Sequence, residues 1–147
     1  MSCKDDLQQK IRSTIPLSEV MQFAITDLTE KSILVSAPLA PNVGFAGSIY
    51  SLAVLTGWAM VTHIVTSRSI SCELVVSKAE IRYLKPVVGD IECRCEVADG
   101  VIDQFIDYYQ DKARSRIMLE IIVGDEQAAL NATYHISSVR ENLSVGL

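Results

Sequence analysis

Between Lys31 and Arg68 the chain carries no Asp, Glu, Lys or Arg. Inside that interval lies VGFAGSIYSLAVLTGWAMVTHIV, Val43 to Val65, which is long enough to cross a bilayer on length alone. Ser48, Ser51, Thr56, Thr62 and His63 punctuate it, Thr66 follows, and both flanks alternate like amphipathic strands. The segment therefore reads as a helix enclosed by a folded domain, apolar nearly all round because it is covered on most sides. A single membrane span is the competing reading, resting only on length and neutrality; no membrane association is expected.

Turned at 100° per residue, Ile49, Tyr50, Ala53, Val54, Gly57, Met60, Val61, Ile64 and Val65 fall on one apolar arc. Ser48, Ser51, Thr56, Thr62, His63 and Thr66 fall opposite, interleaved with Leu52, Leu55 and Ala59. A polar arc without Lys or Glu suits a face covered by a second subunit or a ligand. Hydroxyls bonding back to helix carbonyls would account for several of the same residues without one.

The rest of the chain supplies what surrounds this helix. Asp5 to Thr14 predicts a short amphipathic helix ending before Pro16. Strands are predicted over Met21–Leu28 and Ser32–Leu39, then the central helix from Gly47 to Ser67. Cys72–Leu84 predicts a long strand with Val75, Ser77, Ala79, Ile81 and Tyr83 on one face and Lys78, Glu80 and Arg82 on the other. A strand over Asp90–Ala98, a helix over Val101–Ala113, and strands over Ser115–Val123 and Gln127–Ser138 complete the order, the last two joined at Gly124–Asp125–Glu126. The tail after Val139 is expected to fray. At 147 residues the whole chain, 1–147, reads as one domain, α+β in class, with an antiparallel sheet of about six strands wrapped around one long helix.

Net charge is −5 and basic residues never run beyond neighbouring pairs, which argues against nucleic acid as a partner. Met1–Ser13 is polar and charged, so no secretory leader is expected and the cytoplasm is the expected compartment. Cys3, Cys72, Cys93 and Cys95 then read as free thiols. Cys93 and Cys95 share a strand face, but no second Cys/His pair stands at ligand spacing, so no metal site is expected.

Two stretches carry a family resemblance: APLAPNVGFAGSIYSLAVLTGW, Ala37 to Trp58, and AEIRYLKPVVGD, Ala79 to Asp90. Together they resemble the thioesterase family first seen as the C-terminal domain of the YiiD acetyltransferase-like protein. The Tyr-Leu-Lys-Pro and Gly-Asp pattern is shared more widely among hot-dog-fold thioesterases. The resemblance implies a hot-dog fold and hydrolysis of a thioester carried by coenzyme A or acyl carrier protein. It also implies a homodimer or dimer of dimers with the site at the central helix, coenzyme A entering only as part of the substrate and no separate cofactor. The wider thioesterase branch carries His-Gly-Gly before the helix and an acid within it. Here Phe45, Ala46 and Gly47 occupy the first three positions and Val54 the fourth, and the loop between Asn42 and Phe45 is several residues shorter than in the YiiD-type family.

The remaining candidates follow from the chemistry. Thioester hydrolysis needs an activated water and donors for a developing oxyanion. Backbone N–H groups at Ala46, Gly47 and Ser48 would supply donors at the positive end of the helix, and Gly47 admits a carbonyl closely. Asn42, matching the family's Asn before the helix, would orient a water without deprotonating it. Phe45, Ala46, Ser51 and Trp58, with Tyr50, would meet the acyl group. Arg82 and Lys85 would meet carrier phosphates, with Arg114 and Arg116 opening a strand nearby. His63 and His135 read as core histidines. A non-catalytic acyl-CoA-binding protein is the alternative that Phe45 and Val54 favour.

Overall fold

The computed structural model describes residues 3–43 and 45–139. In order these form α1 (Cys3–Thr14), α2 (Pro16–Val20), β1 (Ala24–Leu28), β2 (Ser32–Ala37), α3 (Leu39–Asn42), α4 (Ala46–Thr66), β3 (Cys72–Tyr83), β4 (Ile91–Glu96), α5 (Val101–Lys112), β5 (Arg114–Val123) and β6 (Ala128–Ser138). The strands make one antiparallel sheet in the order β1-β2-β4-β5-β6-β3. The long α4 packs against β2, β3, β4, β5 and β6. This is the hot-dog architecture that the sequence implied.

Strict alternation builds the sheet's inner face. Ile33, Val35 and Ala37 of β2, Ile91, Cys93 and Cys95 of β4, and Ile117, Leu119, Ile121 and Val123 of β5 are all buried, while their neighbours point outward. Together with Leu52, Ala59, Met60 and Ile64 of α4 they form one core. That explains the neutral interval. α4 has the length and apolarity of a membrane span, yet 67% of its most apolar stretch is buried inside the domain.

One contact fixes how closely α4 meets the sheet. Tyr134 of β6 is fully buried and its hydroxyl donates to the Val54 carbonyl at 2.6 Å. Gly57 makes room for that ring, since a Cβ there would stand 2.5 Å from Tyr134 Cζ and closer still to the hydroxyl.

The structure departs from the sequence expectations at several places. The first strand starts only at Ala24, because Pro16 opens a separate turn of helix, α2, and Gln22 takes a positive φ of 59° before the strand begins. The second strand stops at Ala37, and Leu39–Asn42 coils into α3. Along β3 the single alternation fails. Register slips between Val76 and Lys78, so Cys72, Leu74 and Val76 face inward in the first half, and Ala79 and Ile81 in the second. Val75 and Ser77 are thereby exposed.

The polar arc of α4 is only partly open, with Ser48, Ser51 and His63 half-buried and Thr66 exposed. Thr56 and Thr62 are buried, and Thr56 and Thr66 donate back to the Leu52 and Thr62 carbonyls, each at 2.7 Å. An open stripe also runs through Gly47, Tyr50, Ser51, Val54 and Trp58. His63 is half-buried rather than in the core, and His135 lies on the outer sheet face, paired across the sheet with Val75 and Arg116. The expected fraying after Val139 concerns residues outside those described.

Candidate active site

α4 begins without a side-chain cap. Phe45 is its N-cap residue, with φ −66° and ψ 138°, and makes no capping bond. The first rung of the helix is Ile49 N–H to Phe45 O at 3.0 Å. The N–H groups of Ala46, Gly47 and Ser48 precede that rung and have no acceptor within the helix, and the helix dipole adds positive potential there. Gly47 is exposed beneath the Phe45 ring, and a Cβ on Gly47 would meet Phe45 Cε2 at 2.6 Å. Phe45 is itself 69% exposed, so its ring is a cover that can swing aside.

The far end of β3 holds this helix start in place. The Tyr83 hydroxyl donates to the Ala46 carbonyl at 2.8 Å. Burial, with a smaller effect of Tyr50, raises the Tyr83 pKa, which keeps its proton in place at neutral pH. Ala46, Ile49, Tyr83, Lys85 and Val87 line a shallow groove of about 370 Å³ beside the helix start. Its lining offers backbone donors, a phenol and an ammonium, but no carboxylate or imidazole. The sequence reading put Tyr83 on the same strand face as Ile81 but did not name it among the site residues, since nothing in the sequence shows its hydroxyl reaching the helix start.

Asn42 is 2% exposed, and its amide donates to Met21 O at 3.0 Å and Pro38 O at 2.9 Å. It thus ties the chain entering α4 to the end of α2, and its carbonyl accepts from Phe45 N–H at 3.1 Å. Asn42 Oδ1 is buried and has no partner among the described residues, an acceptor that suits an ordered water.

The other candidates fall into separate places. Ser48 and Ser51 are half-buried near the helix start. Val54 lies on the same open stripe as Gly47, two turns along. Trp58 is half-buried eleven residues beyond Gly47, about 16 Å along the axis, and lines a second cavity. Arg82 and Lys85 are exposed at the end of β3 nearest the helix start, and Lys85 Nζ donates to Asp125 O at 3.4 Å. Neither joins the ion pairs of the described residues, which are Lys31 with Asp99 and Lys112 with Asp111. Arg116 pairs with His135 while Arg82 pairs with Ala129, six residues away on β6. Arg116 therefore sits about 20 Å from the Arg82 end, and Arg114, which pairs with Ser137, lies farther still.

The thiols stay apart from this chemistry. Burial pushes Cys93 and Cys95 up to about 12, leaving them as packing groups. His63, whose pKa is lowered chiefly by burial, contacts Cys3 near the opposite end of α4. Among the described residues no three Cys, His, Asp or Glu side chains gather as metal ligands would.

With this geometry in view, the comparisons with known proteins concern nearly the whole chain. The family described as "Putative thioesterase (yiiD_Cterm)" matches residues 4–136. A crystal structure from Shewanella oneidensis described as a "putative thioesterase" is 33% identical, with a TM-score of 0.81 over 92% of this chain and 97% of that one. A protein of unknown function from Chlorobaculum tepidum is 27% identical, with a TM-score of 0.87 over 92% and 94% of the two chains. A Pseudomonas aeruginosa protein at 21% identity shares the fold, with a TM-score of 0.78 over 92% and 95%.

Proposed function

Because the chain belongs to the yiiD C-terminal thioesterase family, we propose that it hydrolyses an acyl thioester at the start of α4, with coenzyme A or acyl carrier protein as the carrier. The observation that carries this reading is the uncapped helix start, where three N–H groups stand open beside Gly47. A thioester carbonyl seated there would develop its oxyanion against those donors. Asn42 Oδ1 would hold a water by accepting one of its O–H groups. The groove lining holds no carboxylate or imidazole to take a proton from that water, so the proton passes to solvent hydroxide and hydrolysis is slow. A non-catalytic acyl-CoA-binding protein remains the second reading, favoured by Phe45 and Val54 in the positions where the wider thioesterase branch carries its His and its acid.

The proposed working unit is a homodimer or dimer of dimers, for which β3 offers a twelve-residue edge strand. A stable monomer in sedimentation at micromolar concentration contradicts it. The cytoplasm is the proposed compartment, in keeping with four free cysteines.

The carrier is tested at Arg82 and Lys85. Replacing both with Ala is expected to weaken coenzyme A binding about tenfold and to flatten its dependence on salt, because two exposed cations near a phosphate act through screened attraction. Equal affinity and equal salt slope for both proteins would make them ordinary surface charges.

A further inference from the structure

The outer face of the sheet carries opposite charges on either side of one row. β5 alternates, and its outward residues Arg114, Arg116, Met118 and Glu120 are all exposed. Met118 is 70% exposed at the middle of that face, a large apolar side chain left in water. Arg116 and Glu120 stand two residues to either side of it, and neither joins the ion pairs of the described residues. Strand register extends the pattern across β6 and β3. The middle row is Met118, Thr133 and Lys78. On one side of it lie Arg116, His135 and Val75, and on the other Glu120, Asn131 and Glu80. One side is basic or neutral and the other acidic or amide, so the face complements itself when turned over about its middle row.

We propose that this face binds a second copy of the chain, related to the first by a two-fold axis along the Met118–Thr133 row. Turning one copy about that axis sets Met118 against Met118, and Arg116 against Glu120 of the second copy twice over, as an isologous contact requires. His135 meets Asn131 in the same way. Lys78, at the end of the row, is exposed, and its long stem lets the ammonium reach water. This rests on the proposed dimer of dimers, whose second contact it assigns to the sheet face. β3 runs from Cys72 to Tyr83, so its midpoint lies beside Lys78 on the same row. A two-fold pairing β3 edges about that midpoint crosses the first axis at right angles, and four copies close with no contact left open. Two copies paired through β3 present β5, β6 and β3 twice over, about 29 Å across, and Arg114 to Ile122 spans about 26 Å. The roughly 750 Å² so covered on each dimer is close to the ~800 Å² per partner of a stable interface.

The test is sedimentation of the purified full chain beside charge-reversed variants at these exposed positions. Wild type is expected to sediment as four copies at micromolar concentration. Arg116→Glu and Glu120→Arg, each alone, set like charges face to face and should halve the mass, with about a hundredfold loss or more in affinity between dimers. An equal mixture of the two variants should regain four copies, because each supplies the charge the other now lacks. The doubly reversed Arg116→Glu/Glu120→Arg chain should do so by itself. Single variants that keep the wild-type mass overturn the proposal, and so does a mixture that stays at half mass. The edge-strand contact fails separately. Wild type at two copies with both single variants monomeric removes the β3 pairing and keeps the face contact. Two copies in wild type and variants alike removes the face contact and keeps the pairing, and a monomeric wild type removes both.

Discussion

Gly47→Val is expected to lower thioester turnover by two to three orders of magnitude while the protein still folds. Removing one oxyanion donor elsewhere costs about 10²–10³ in kcat, and a branched side chain at Gly47 blocks approach to the whole group of donors. The fold tolerates the change because the nearest atoms to a Cβ there belong to the exposed ring of Phe45, which can move. A second substitution separates catalysis from damage. Phe45→Asn supplies the missing cap, so its side chain should bond to the N–H of Gly47 or Ser48 and stabilise the protein by about 1 kcal/mol. The same bond occupies a catalytic donor, so turnover should fall as stability rises. Single-turnover kinetics and thermal melts on both variants check this. Wild-type rates in folded Gly47→Val would remove the helix start from the mechanism.

The largest effect on stability is expected at Gly57→Ala. The added methyl meets three atoms of Tyr134, the farthest at 2.7 Å, and that ring is fully buried with its hydroxyl bonded to Val54 O. Neither side can yield cheaply, because the ring is enclosed and α4 is held along its length by the sheet. Overpacking of this kind costs about 2–3 kcal/mol, or roughly 5–10 °C in Tm for a chain of this size. Tyr134→Phe should not rescue it, since the clash with ring carbons at 2.5 and 2.7 Å persists after the hydroxyl is gone. Thermal denaturation of the single and double variants decides the matter, and an unchanged melting temperature for Gly57→Ala would show that the helix can lift off Tyr134.

The neutral interval and the alternating strands made the architecture legible from the sequence, because both reflect burial directly. What was lost was local. Pro16–Val20 is too short to display a helical period. The slip at Ser77 adds one residue without altering composition, so parity was assigned correctly for Ile81 and wrongly for Val75. On α4, hydropathy could not single out the open stripe, because Thr56 satisfies its hydroxyl within the helix and can be buried like an apolar residue. For the candidate site, Gly47 was read from the helix start and the resemblance, whereas the Tyr83 hydroxyl reaches the helix only by crossing from the strand. Asn42 was read as a group facing water, yet both its amide donors hold backbone carbonyls and only its oxygen is free. Trp58 belongs to the far cavity, a separation of about 16 Å that linear sequence does not reveal.

The claim at the centre is hydrolysis by oriented donors without a side-chain base. A general base imposes its own pKa on the rate, and the groove lining contains no carboxylate or imidazole. The direct measurement is single-turnover thiol release from a tightly bound acyl-CoA between pH 5 and 9. The account predicts slow but measurable release whose logarithm climbs steadily with pH and shows no plateau. A plateau governed by a group of pKa near 5 to 7 would reveal a base, and no release from the bound thioester would mean that the site binds without catalysing.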